Sequence, residues 1–163
     1  MAPITVMFTL HPTGRVELDI NVMTADRLSF ESVLFKLDTG SEFTTLSSKD
    51  LDLLGYTDAF LQSCKVYGTA SSAAGNVVLQ YIDNVSIKFG DREIQGCRVF
   101  FALGSQLHSL FGSDILRYFN YSVNYDTGEF QMSVATKAPK LAQGEPQLRI
   151  YSLNLADGED TTH

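Results

Sequence analysis

The sequence predicts a single all-β domain carrying one or two short helices. Three observations lead there. Apolar and polar residues alternate along most of the chain, with the period of two expected of strands that bury one face. Turn residues punctuate these runs at 11–14, 90–91 and 126–128. Two places, Ser47–Asp50 and Ser113–Asp114, read as helix starts.

In order along the chain, Ile4, Val6, Phe8 and Leu10 alternate up to a turn at His11–Gly14. Val16, Leu18, Ile20 and Val22 then alternate with Arg15, Glu17, Asp19 and Asn21, which describes a half-buried strand. A polar connection at 24–27 leads to the apolar strand Val33-Leu34-Phe35, which ends at Asp38. Phe43–Leu46 reads as a short extended piece. Ser47-Ser48-Lys49-Asp50 resembles a capping box for a single short helix through Leu51–Leu54, closed by Gly55. The small, polar, glycine-bracketed run Gly68–Gly75 has extended residues on both sides and reads as a hairpin tip. Val85, Ile87 and Phe89 alternate into the Gly90-Asp91 turn, and Ile94, Cys97, Val99 and Phe101 continue the sheet beyond it. Leu110-Phe111-Gly112 is followed by a helix capped by Ser113-Asp114 and holding Ile115, Leu116, Tyr118 and Phe119. Tyr121–Val134 is a hairpin turning at Asp126-Thr127-Gly128. The domain so read spans 1–135. Residues 136–163 form a C-terminal extension, with one last edge strand at Leu148–Leu153 and a frayed acidic tail from Ala156.

Bulk properties narrow the function classes. The chain has 163 residues, 44% apolar and 19% charged, enough for one sizeable core. Its net charge of −7, with no cluster of Lys and Arg, argues against a nucleic-acid surface. No basic patch precedes a long apolar run, so neither a signal peptide nor a membrane span is expected, and the expected location is cytoplasmic. Cys64 and Cys97 form no CxxC unit and read as two reduced thiols. Three scattered histidines show no metal-ligand spacing, so no metal and no cofactor is expected. P-loop, Rossmann and G-x-S-x-G patterns are all missing. His108 precedes Leu110-Phe111-Gly112 and reads as a loop histidine without catalytic duty.

One stretch carries chemistry. At Lys36-Leu37-Asp38-Thr39-Gly40-Ser41 an apolar strand delivers a carboxylate to a tight turn. Gly40 permits close backbone approach there, and Thr39 and Ser41 offer local hydrogen bonds. Together with the glycine-bracketed hairpin and with Leu110-Phe111-Gly112-Ser113-Asp114-Ile115-Leu116, it resembles the retroviral-type (retropepsin-like) aspartic proteases over roughly Ile4–Val134.

That resemblance implies the acid-protease fold, a closed β domain with a flap hairpin. It implies that Asp38 is the catalytic aspartate and that Thr39 locks two active-site turns together across a dimer. Gly40 keeps the turn compact, and Ser41 hydrogen-bonds the outer oxygen of the carboxylate. Gly112 threads beside the catalytic turn, and Asp114 helps to fix the start of the following helix. The flap falls at Tyr67–Asn76, where Tyr67, Gly68, Thr69, Ala70 and Ser71, with Phe111 in the pocket, would meet substrate. Here the flap is Thr/Ala/Ser-rich where viral members are glycine-rich. Phe43, Tyr67, Phe111 and Ile115 near the cleft predict subsites that prefer large apolar side chains.

Asp-Thr-Gly occurs twice, at 38–40 and 126–128, yet the second copy lies between alternating strands with no flap or apolar-apolar-Gly segment after it. It reads as a hairpin turn. Each chain then supplies one catalytic carboxylate, and a twofold homodimer acting on an extended polypeptide is expected. The competing reading is a catalytically silent dimeric protein-binding domain of the same fold.

Overall fold

The structure, a computed structural model, describes residues 3–72, 75–153 and 160–162, the last three in backbone only. Its centre is the antiparallel pair β3 (Val16–Met23) and β4 (Phe30–Leu37), joined in register from Glu17↔Lys36 to Met23↔Phe30. Val16, Leu18, Ile20 and Val22 are buried on one face of β3, and Val33 and Phe35 are buried on β4. Alternation in the sequence becomes one core face, as a period of two requires.

Ahead of this pair come β1 (Ile4–Met7) and β2 (Thr9–Leu10); after it come α1 (Ser48–Leu53) and α2 (Asp58–Ser63). A hairpin of β5 (Val66–Ser72) and β6 (Gly75–Phe89) follows, and β6 turns into β7 (Arg92–Phe101). Next are β8 (Leu110–Phe111), α3 (Ser113–Leu116), and the hairpin β9 (Phe119–Asn124) with β10 (Glu129–Val134). The chain ends in β11 (Arg149–Ser152) and β12 (Asp160–Thr162).

The main sheet runs β12-β11-β7-β6-β3-β4-β8, with β2 on β3 and β5 on β6, and curls into a nearly closed half-barrel. Its pairs are antiparallel except β4–β8. A second sheet, β1-β10-β9, packs against it. Phe89 joins the two, with its ring 6.2 Å from Phe111 of the main sheet and 5.8 Å from Phe130 of the second. The expected all-β class with short helices is the one found.

Five local expectations change. A further helix, α2, follows α1 in the stretch where the sequence suggested a single one; Thr57 caps it by accepting from the Phe60 N–H. β6 is one long strand, whereas the alternation suggested two pieces, because bulges between Ile82 and Ile87 shift its register without ending it. Phe43–Leu46 is no strand; Thr45 makes only isolated bridges to Phe100 and Leu110. The third helix stops at Leu116, its N-cap is Gly112 without a side-chain bond, and Phe119 already belongs to β9. β11 is not an edge, since β7 pairs on one side of it and β12 on the other. Leu148 and Ile150 are buried in the main core. Most of the acidic run from Ala156, whose fraying was expected, lies outside the described residues. No helix among the described residues is long and apolar enough to cross a membrane.

Candidate active site

Asp38 sits one residue past β4. The parallel register Lys36↔Leu110 and Leu37↔Phe111 continues as the Asp38 N–H donates to the Phe111 carbonyl at 3.1 Å. The turn then closes on itself. Ser41 N–H donates to the Asp38 carbonyl, and Gly40 N–H donates to Asp38 Oδ1, both at 3.1 Å. This fixes the carboxylate while leaving its side chain 29% exposed.

The strand after Leu110-Phe111 must pass very close to this turn. A Cβ on Gly112 would stand 2.6 Å from the Phe43 carbonyl oxygen and 2.9 Å from that of Ser41, so only glycine fits. Ser113 N–H donates to the Ser41 carbonyl at 2.8 Å, and Gly112 N–H donates to Thr44 Oγ1 at 3.1 Å. Asp114 clamps the same region. Its carboxylate accepts from Thr44 N–H (2.9 Å), Thr44 Oγ1 (2.7 Å) and Ile115 N–H (2.9 Å). Burial pushes the Asp114 carboxyl up to about 6 despite the hydrogen bonds that favour its anion.

The Ser41 hydroxyl does not take the expected bond to the outer oxygen of Asp38. It donates to the Phe43 carbonyl at 2.8 Å, a local serine turn that the next two residues make available. Thr39 is exposed on the outside of the turn.

An open cleft of about 660 Å³ lies over Asp38. Its floor is Asp38, Gly40 and Ser41; Ala70, Ser71, Ser72, Val77 and Leu79 of the β5–β6 hairpin form one wall, and Gln106, Leu107, His108 and Leu110 another. Residues 73–74, at the hairpin tip, lie outside the described residues.

Of the expected substrate contacts, Ala70 and Ser71 line this cleft. Gly68 and Thr69 lie on β5 without lining it, and Tyr67 faces a second, smaller cavity together with Ile115. Phe111 is a correction. It is wholly buried, packed on Phe35 and Phe89, because the residue before Gly112 points inward from β8. His108 does line the cleft, held in place where Thr45 Oγ1 donates to its carbonyl at 2.7 Å.

Arg15 was not singled out by the sequence, yet its Nη1 stands 3.9 Å from Asp38 Oδ2. The β3–β4 register explains it, since extending Glu17↔Lys36 by two residues sets Arg15 opposite Asp38. Asp126 lies elsewhere. It is exposed in the β9–β10 turn, where Asn124 Oδ1 accepts from the N–H groups of Asp126 and Thr127 and Gly128 takes a φ of 72°.

A family model described as aspartyl protease matches residues 20–115, a span that contains Asp38, the β5–β6 hairpin and Gly112. The chain belongs to the aspartyl protease family. Among solved structures, the chain is similar to a retropepsin-like aspartic protease from Rickettsia conorii. The two share 18% identity at a TM-score of 0.56, over 80% of this chain and 91% of that one. The likeness shows a shared retropepsin-like fold. No curated protein matches the chain.

Proposed function

We propose that this chain is an aspartic endopeptidase that hydrolyses extended polypeptides as a twofold homodimer, with Asp38 of each chain at the axis. One observation carries the reading: a part-exposed carboxylate on a glycine turn at the floor of an open cleft, with no second acid of that kind in the described chain. Asp126, the other candidate, is spent in a surface turn.

Peptide hydrolysis at such a site needs two carboxylates. Brought within a few ångströms, they cannot both ionise cheaply and share one proton. The ionised member takes a proton from a water as that water attacks the scissile carbonyl. The protonated member donates to the carbonyl oxygen, and as the C–N bond breaks the proton taken from the water passes from its aspartate to the leaving amine. Gly40 N–H holds Oδ1 of Asp38 in place, and the Asp114–Thr44 bonds hold the neighbouring strand. Exposed Thr39 is available to tie one turn to its counterpart in the second chain. The β5–β6 hairpin serves as the flap. Among the described residues β5 pairs only with β6, which leaves its outer edge open to main-chain hydrogen bonds from a substrate strand.

Sedimentation combined with peptide-library cleavage tests the reading on wild type, Asp38→Asn and Asp126→Asn. A cleaving wild-type dimer, an Asp38→Asn dimer reduced by at least about a hundredfold, and a normal Asp126→Asn enzyme are expected. Loss of activity in a folded Asp126→Asn overturns the one-carboxylate argument. A folded wild-type dimer that cleaves nothing makes the chain a protein-binding domain of this fold.

A further inference from the structure

Beside the cleft lies a second cavity of about 220 Å³. Phe43 lines both, so its ring is the partition between them. The outer wall is supplied by Glu145, Pro146 and Leu148, beyond the residues matched by the family model.

This stretch is strapped down firmly. Arg117 pairs with Glu145, and Glu145 Oε1 also accepts from Ala142 N–H at 3.0 Å. Tyr118 Oη donates to the Pro146 carbonyl at 3.5 Å and accepts from Leu148 N–H at 3.4 Å. The Gln147 carbonyl passes so close to Gly96 that a Cβ there would stand 2.8 Å away.

We infer that this cavity is an outer specificity pocket of the proposed endopeptidase, one that takes a large apolar or aromatic substrate side chain. The inference rests on the peptidase reading of the Asp38 cleft. Position argues for a substrate residue. Ala70, Ser71 and Ser72 face the cleft, while Tyr67 of the same strand faces the second cavity. A peptide laid along the open edge of β5 therefore spans both. At about 3.3 Å per residue, moving from Ala70 to Tyr67 advances the substrate by about three residues. In a twofold dimer the preference would fall on both sides of the cut.

Chemistry argues for an apolar occupant. Tyr67 packs edge to face on Phe43 and Phe100, which are tilted against each other, with ring centroids 4.7–5.3 Å apart, and Ile115 and Leu148 add aliphatic surface. Both guanidinium groups are already engaged. Arg98 makes two bonds to Asp83, at 2.6 and 3.2 Å, and Arg117 holds Glu145. An anionic side chain entering here would lose hydration without gaining a free cation.

The test uses two peptides that differ only in a Phe or a Gly about three residues from the cut. Wild type, Tyr67→Ala and Pro146→Ala are compared, each checked for folding by thermal melting. Wild type is expected to favour the Phe peptide about tenfold or more in kcat/KM. The ratio is expected to fall below about threefold in both variants. The same peptides are titrated by fluorescence anisotropy into full-length Asp38→Asn protein, which reads the pocket without cleavage. Equal binding of the two peptides there, or an unchanged ratio in both variants, overturns the pocket. Preferential binding of the Phe peptide with no cleavage by wild type leaves the pocket standing and removes the peptidase reading instead.

Discussion

At the scale of single residues, the site is held by contacts that leave little room for substitution. Gly112→Ala would drive a methyl group into the backbone carbonyls of Phe43 and Ser41, which cannot turn aside as a flexible side chain can. A loss of about 3 kcal/mol is expected in urea unfolding, with activity falling as the Asp38 turn is displaced. Asp114 gives a pH-dependent prediction. Its folded carboxyl sits at about 6, well above the ordinary aspartate value, so its contribution to stability is complete below about pH 4 and is lost as the pH rises through 6. The scale of that loss is about 3 kcal/mol. Urea midpoints of wild type and Asp114→Asn between pH 4 and 7 check this, and wild type should lose ground relative to the variant as the pH rises. A constant difference would show that Asp114 titrates as an ordinary surface acid.

At the scale of elements, α1 depends on one serine. The Ser47 hydroxyl accepts from Asp50 N–H at 3.2 Å and donates to Asp50 Oδ2 at 3.0 Å, and Ser109 donates to the same oxygen. Ser47→Ala is expected to cost about 1–2 kcal/mol, measured by thermal or urea unfolding, because both bonds of the Ser47 hydroxyl to Asp50 are lost together. This cap was legible in Ser47–Asp50, as were the buried face of β3 and the Asp38 turn, since each is written in neighbouring residues. The features missed depend on partners distant in sequence or on weak local signals. α2 has only one buried residue, Leu61, so it lacks an apolar stripe, although Thr57-Asp58 is a cap signal in plain view. Arg15 reaches Asp38 through a strand register that no local pattern reveals. The inward turn of Phe111 follows from its parallel pairing with Leu37, again a fact of register.

At the scale of the whole molecule, the proposed half-site per chain would make activity a matter of concentration. Specific activity is expected to fall on dilution below the dimer dissociation constant and to return on reconcentration, in step with sedimentation. Specific activity that stays constant while the protein sediments as a monomer would refute the shared site. The main core also draws on the last part of the chain, where Leu148 and Ile150 are buried and β11 pairs with β7. A chain ended at residue 135 is therefore expected to lose cooperative unfolding, read as a broadened thermal transition. The same pairing sets an order of events on the ribosome. β7 emerges long before β11, so its flank stays uncovered while the intervening residues are translated. The strap at 145–148 that walls the second cavity directly precedes β11 in the chain, so it too is translated after β7. A nascent chain can thus present its Asp38 turn before the second cavity has its 145–148 wall, and on the proposed reading that pocket is the last part of the site to be completed.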